Sequence, residues 1–423
     1  TKLAISPHVA YVARGFDAAM LHVLSLDGAT VATLDASSEL SGWQIRDIVN
    51  KNLGESRAEA FDLVFDGHML HDGDLLSNSG EMIVTIVWRS SPKIVTASKD
   101  VVSIFDSSGQ KLQTCDIPQL VGVSFSPDGS LWLGSTTDGS VLIYDTDTGE
   151  KICSLKGSRR RAHNATFSPD SSMVLVPSPG CTALLYDART GESLGTCCGF
   201  HTDVRLGIFS PDSSMVLLVS QDGFASLFST PSGSTLRQMS EVGKWNSSVH
   251  FFSSSDLVLT VLRDGTGRIF DTTGCCRRTF RESGWLSDAA LSPDDSKVLL
   301  VLSDCTARIY EIAGEGKISK SIALGDLGIY ISPYPVCFSR SSSKILLALD
   351  SCEVKVVDSC TGDVICRCKG GKHHITSASF SPDGSQVLVS YYNSIPKIFD
   401  STSGACLLDL PEHPSVVFMA SFS

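Results

Sequence analysis

Charge is sparse in this sequence. Asp, Glu, Lys and Arg make up 19% of its 423 residues, and the basic share is the smaller, 34 against 46, giving a net charge of −12. So small a basic complement excludes a broad attraction to nucleic acid or to an anionic membrane surface and leaves only local basic spots. No apolar run reaches the roughly 18 residues that a membrane-spanning helix needs, and Thr1 to Met20 shows no basic end followed by an apolar core. These absences predict a soluble chain with no secretion signal and no membrane insertion, the cytoplasm being the default location. The hydrophobic share, 42%, supplies an ample core and argues against disorder.

Catalytic and cofactor motifs are also missing. Gly314-Glu-Gly316-Lys317 has no glycine at the place where a phosphate loop begins, and Ile318 stands where Ser or Thr would hold magnesium. There is no G-x-S-x-G elbow, no H-E-x-x-H and no glycine-rich dinucleotide fingerprint. The sequence therefore predicts neither an enzyme nor a cofactor.

What the sequence does have is a period. Phe-Ser-Pro-Asp stands at Phe125, Phe167, Phe209 and Phe380, with worn copies at Phe252, Leu291 and Phe338 and a partial one at Phe422. Successive intervals are 42, 42, 43, 39, 47, 42 and 42 residues, a spacing that means stacked supersecondary units. In the unit from Thr376 to Leu410, four short apolar strands are separated by turns. Ser381-Pro382-Asp383-Gly384 makes the first turn, and Ser403-Gly404 makes the last. Between second and third strands several units carry Asp-Gly (Asp138, Asp222, Asp264), which predicts hairpins because both residues tolerate positive φ. Third strands end at Asp106, Asp145, Asp187, Ser229, Asp271, Glu311, Asp358 and Asp400, eight in all.

Fourteen cysteines follow the same repeat. Cys115, Cys153, Cys197, Cys276, Cys366 and Cys406 fall at similar points of successive units, which predicts buried, reduced thiols. Cys366-x-Cys368 and the doublets at 197–198 and 275–276 do not have zinc-site spacing.

On these turn motifs, residues 91–423 resemble the WD-repeat β-propellers, whose blades are four-stranded sheets around a channel. The tryptophan of the Trp-Asp pair is replaced by Phe105, Tyr144, Tyr186, Phe270, Tyr310 and Phe399, which puts that family's buried hydrogen-bond relay in doubt. The array opens on a second strand near residues 93–98 and ends on a first strand near 415–423, which predicts eight blades closed by the C-terminal strand.

The text before the ring is different. Strands at Leu21–Leu26, Thr30–Leu34, Phe61–Phe65, Met69–Leu70 and Met82–Trp88, with helical spacing over Gln44–Leu53, run in the order ββαββ-β. This order, and the stretch Leu63 to Gly73, resemble ubiquitin. The expected fold class is therefore mainly β: an eight-bladed propeller at 91–423 preceded by a small α+β ubiquitin-like (β-grasp) domain at 20–90, with 1–19 an extension of unclear status. The resemblance implies an apolar patch at Val64 with His68 at its edge. Conjugation is not expected, because no Gly-Gly follows Trp88.

In a propeller, loops that join second to third strands and fourth to next first strands gather on one face, and loops on a rigid frame are where binding concentrates. On that face fall Arg159, Arg160, Arg161, His201, Asp203, Lys244, Trp245, Trp285, His373, His374, Tyr391 and Tyr392. Arginine and aromatic residues commonly anchor interfaces. The leading expectation is a non-enzymatic scaffold binding other proteins within a multi-subunit complex. One alternative is a ubiquitin-pathway adaptor whose propeller carries cargo to ubiquitin receptors or the proteasome, and another is a ribonucleoprotein-associated propeller.

Overall fold

A computed structural model describes residues 92–423, apart from 157–164, 179–181, 240–245, 305, 313–317, 324–335, 350–351, 372, 412 and 414–415. Before residue 92 it describes the course of eight short strands. Two compact units divide the chain, Thr1–Pro92 and Lys93–Ser423.

In the first unit a six-stranded sheet runs in the order Thr30–Asp35, Met20–Leu24, Val9–Arg14, Val84–Trp88, Phe61–Phe65, His68–Met69. Each neighbouring pair is antiparallel, and Leu40–Ser41 pairs with Leu75–Leu76 outside this sheet. Within the stretch 1–19, whose status the sequence left open, Val9–Arg14 lies in the middle of the sheet, with Val12 opposite Val23 on one side and Val84 on the other. Its run Val-Ala-Tyr-Val suits a strand paired on both edges. The helix expected over 44–53 lies outside the described residues.

The second unit is a ring of eight four-stranded sheets. Blade 2 spans Leu120–Phe125 to Lys151–Lys156, blade 3 Thr166–Phe167 to Ser193–Cys197, and blade 4 Val204–Phe209 to Thr235–Met239. Blade 5 spans Asn246–Phe251 to Cys276–Arg281, and blade 6 Leu286–Leu291 to Ile318–Ala323. Blades 7 and 8 begin at Val336–Phe338 and Ile375–Phe380 and end at Val364–Lys369 and Cys406–Asp409. Blade 1 is made from both ends of the unit. Ile94–Ser98, Val101–Phe105 and Lys111–Asp116 are its second to fourth strands, and Val417–Phe422 is its first. Phe422 pairs with Ile94, and Ala420 with Thr96. The expected closure by the C-terminal strand is what the ring shows.

Every seam between blades has its own apolar core, because the second and third strands of each blade are hydrophobic on both faces. At the closing seam Phe105, Ile94, Leu388, Ile398, Leu410 and Phe422 pack together, each buried side chain contributing about 1.5–3 kcal/mol relative to exposure. The aromatic residues in the tryptophan's place lie in these seams. Phe105, Tyr186, Phe228, Phe270, Tyr310 and Phe399 are buried, and Tyr144 stacks on Trp132 with centroids 4.3 Å apart. Two of the tyrosines also bond across a seam: the Tyr186 hydroxyl donates to the Lys156 carbonyl at 2.9 Å, and that of Tyr310 to Glu282.

The Ser-Pro-Asp turns are built from side chains. Ser126 Oγ donates to Asp128 at 2.5 Å and accepts the Leu131 N–H, while Asp128 accepts the Ser130 N–H. Asp128 N–H then donates to Ser171 Oγ of blade 3 at 3.1 Å. The same stitch recurs from Asp170 to Ser213, from Asp212 to Ser255 and from Asp294 to Ser342. Between blades 5 and 6 the direction is the same and only the residue types change, Ser253 N–H of blade 5 donating to the Asp295 carboxylate of blade 6. The Asp-Gly hairpins form as expected. Only the glycine takes positive φ (Gly139, Gly223, Gly265), and the aspartate acts through its carboxylate, Asp138 accepting the Ser140 N–H and the Thr136 hydroxyl.

The cysteines require a correction. Cys197, Cys366 and Cys368 are buried, but Cys276 and Cys406 are exposed. Cys276 and Cys406 begin their outer strands, whereas Cys197 ends one and Cys366 sits third, so their places in the repeat are not equivalent. Burial pushes the Cys197 thiol up to about 12. Twelve described cysteines are free thiols.

A candidate protein-binding face

Antiparallel strands reverse direction at each turn, so connections alternate between the two ends of a blade. The first-to-second and third-to-fourth turns form one face, and the Ser-Pro-Asp stitches lie there. The second-to-third turns and the links between blades form the opposite face, which carries the candidate residues.

Arg159, Arg160, Arg161, Lys244 and Trp245 lie outside the described residues. So do the side chains of Val64 and His68, whose strands nevertheless pair, Val64 with Met69 and Phe65 with His68. His201 is exposed and Asp203 half-buried, its carbonyl accepting the Gln221 N–H at 3.0 Å. His373 and His374 are exposed. The His374 ring stacks on Tyr392, 4.7 Å between centroids and 20° between planes, and Tyr392 N–H donates to the His374 carbonyl at 2.8 Å. Tyr391 is corrected: it is 0% exposed, because it ends the strand Gln386–Tyr391 and turns into the seam with blade 7. Only Tyr392 belongs to the turn.

Trp285 is 65% exposed, the most open of the large hydrophobic side chains described. Its backbone is tied down. The Trp285 N–H donates to Ser303 Oγ at 3.1 Å, and the Ser303 N–H donates to the Trp285 carbonyl at 2.8 Å. Just before it, Glu282 is buried against the Arg308 guanidinium and the Tyr310 hydroxyl. Gly265 of the neighbouring turn packs so closely that a Cβ would lie 2.5 Å from the Glu282 carbonyl oxygen and 2.7 Å from that of Gly284, at φ +89°. A side chain there would push this link off its seat.

Three residues of this face escaped the sequence reading. Phe224 is 48% exposed directly after Asp222-Gly223, where Ser140, Thr266 and Thr306 stand in other blades. That departure from Ser or Thr was a legible signal. Arg263 and Arg281, both exposed, flank the Gly265 contact, and Thr266 pairs with Arg281. Their proximity follows from strand register and was not legible from composition.

In the turns of this face, hydroxyl and backbone donors hold the Asp138 and Asp222 carboxyls below their ordinary range, while burial displaces two groups on inner strands. Burial holds the Asp288 carboxyl up at about 6, although the Ala289 N–H donates to it at 2.8 Å. Burial also pushes the His250 imidazole down. Among the described residues no three His, Cys, Asp or Glu side chains are grouped to hold a metal ion, and no helix is long and apolar enough to cross a membrane. The face is an array of exposed aromatic and basic side chains on a fixed backbone, an arrangement suited to binding.

Comparison with known proteins agrees with this architecture. The model of the WD domain, G-beta repeat, matches residues 109–145, the stretch from the third-to-fourth turn of blade 1 through the third strand of blade 2. The chain is similar to WD repeat-containing protein 1-B of Xenopus laevis, 34% identical over 92 residues, which is 21% of this chain and 15% of that protein. Over 37 residues, 9% of this chain and 6% of the relative, it is 54% identical to WD repeat-containing protein 1-A of Xenopus laevis. Over 96 residues, 23% of this chain and 10% of the relative, it is 30% identical to U3 small nucleolar RNA-associated protein 21 of Saccharomyces cerevisiae. The matched stretches thus span a small part of each relative's own length. Eight four-stranded blades make the ring a β-propeller, and the matched repeat makes it similar to the WD-repeat proteins.

Proposed function

We propose that this chain is a non-enzymatic scaffold that holds other proteins on the loop face of its propeller. The observation that carries the reading is Trp285: a large aromatic side chain left open on a backbone fixed by Ser303, Glu282 and Gly265. Exposing an indole on a rigid support costs solvation without gaining core, and rigid aromatic anchors lose little entropy when a partner covers them. The His374 and Tyr392 stack adds a second such element on blade 8.

In this proposal the first unit is a ubiquitin-like module with one strand added. Its hairpin Met20–Leu24 and Thr30–Asp35, and its trio Val84–Trp88, Phe61–Phe65 and His68–Met69, support the reading, with Val9–Arg14 inserted between the two groups. Such a module would dock the scaffold to a receptor, through Val64 and His68, while the ring holds cargo. The likeness to a yeast protein named as U3 small nucleolar RNA-associated favours a second reading, a propeller that works among proteins of a ribonucleoprotein.

The test is affinity purification of tagged full-length chain and of a form lacking residues 1–90, with co-purifying proteins quantified by mass spectrometry. Partners kept by both forms support a scaffold that works through the propeller. Loss of ubiquitin receptors or proteasome subunits with the shorter form supports the adaptor role. Absence of any reproducible protein partner contradicts the proposal.

A further inference from the structure

Most arginines near blade 5 have a fixed role. Arg277 pairs with Asp271 at 2.7 Å, Arg308 with Glu282 and Asp304, and Arg278 donates to the Ile312 carbonyl. Arg263 and Arg281 differ: both are exposed, and neither has a carboxylate partner among the described residues. They are thus two exposed arginines without carboxylate partners on one face of a chain of net charge −12.

The fold brings them together beside Trp285. Arg263 lies in the turn closed by Gly265 N–H to the Leu262 carbonyl, and Glu282 N–H donates to the Gly265 carbonyl at 2.9 Å. Arg281 is therefore next to that turn, and Gly284, adjoining Trp285, touches Gly265. The one carboxylate in the turn, Asp264, accepts the Thr266 N–H at 2.9 Å. Of the other nearby acids, Glu282 is buried against the Arg308 guanidinium, and Asp304 pairs with the same guanidinium at 3.4 Å.

We propose that Arg263, Arg281 and Trp285 form a docking patch for an acidic peptide segment of a partner protein, one that alternates carboxylate and apolar residues. Charge complementarity chooses the occupant. Two guanidinium groups with unused donors take carboxylates in charge-assisted hydrogen bonds, and the open indole face covers the apolar residue between them. The patch deepens the scaffold reading and rests on it for the existence of a protein partner.

The test uses full-length protein and three short fluorescent probes: a peptide alternating Glu and Leu, the same peptide with Lys for Glu, and single-stranded oligouridine. Binding is followed by anisotropy. The account predicts saturable binding of the acidic peptide that weakens with salt, and no comparable binding of the basic one. W285A should lower its affinity about tenfold or more. The pair R263E and R281E should abolish acidic-peptide binding and admit the basic peptide. All three sites are exposed at their side chains, and an unchanged thermal transition shows that the variants are folded. Equal affinity of wild type and variants for the acidic peptide, no binding of it by the wild type, or preference for oligouridine would each overturn the proposal. Failure here alongside retained partners in affinity purification removes this patch and leaves the scaffold standing.

Discussion

Ser171, Ser213, Ser255 and Ser342 hold left-handed backbone, with φ between 58 and 63°, at the place where Gly129 and Gly384 stand in other turns. A side chain in that region costs about 1–2 kcal/mol, so glycine is the easier choice there. The hydroxyl offsets the strain, since each serine accepts the N–H of the preceding blade's aspartate, a bond of about 1 kcal/mol. Ser213→Ala keeps the strain and loses the bond, and should destabilise by about 1–2 kcal/mol. Ser213→Gly loses both and should stay within about 0.5 kcal/mol of the parent. Denaturant midpoints of the two variants check the order; an unchanged midpoint for Ser213→Ala would show that the bond contributes nothing, and equal losses that the strain costs nothing.

Asp288 is a second case at this scale. Its folded carboxyl titrates near 6, above its ordinary value of 3.8, because burial disfavours the charge. The folded state therefore binds the proton more tightly, and stability falls as pH rises through the interval between 3.8 and about 6, then stays low. Asp288→Asn should raise stability at neutral pH by about 1–2 kcal/mol and do little near pH 4, seen as a melting difference that closes on acidification. Neither effect was legible beforehand. The Ser-Pro-Asp letters were visible, but which turn faces which depends on how neighbouring blades stack. An aspartate in a polar-looking strand gives no sign that it faces inward.

Turns and strand pairs were the most legible level. Local letters specify them: Pro and Asp in the first turn, Asp-Gly in the second, Gly in the third, and short apolar runs between. The misplaced residues are those that single steps in register decide. Tyr391 and Tyr392 are adjacent, yet one ends the strand and lies in the core while the other opens the turn and stacks on His374. Cys276 and Cys406 were misread for the same reason.

The closing strand carries a pH-dependent contact. His413, just before Val417–Phe422, places Nε2 2.6 Å from Thr96 Oγ1 on blade 1. Burial, then the charge of Lys111, pushes the imidazole down to about 4. A depressed histidine binds its proton more weakly folded than unfolded, so this contribution is complete above about pH 6.5 and lost as pH falls toward 4. Amide protection in Val417–Phe422 should drop between neutral pH and about pH 5 more than in Leu120–Phe125, and His413→Gln should flatten that difference. Equal loss in both strands would remove His413 from the closure.

For the whole molecule, the period near 42 residues and the half-unit at each end announced a closed ring, and the strand pairing of Phe422 with Ile94 is that closure. The binding face was half legible. Its loops could be assigned from the order of strands, but the grouping of Arg263, Arg281 and Trp285 is made by register and by the close seat of Gly265. The central claim is that this face, not the blade edges, holds protein partners. Its most direct test is quantitative partner capture by three full-length forms: wild type, a face variant joining Trp285→Ala with His374→Ala and Tyr392→Ala, and an edge variant joining Leu112→Ser with Leu236→Ser and Leu407→Ser on exposed outer-strand positions. The account predicts that the face variant loses most of the partner signal while the edge variant keeps it. Full capture by the face variant, with loss by the edge variant, would contradict it.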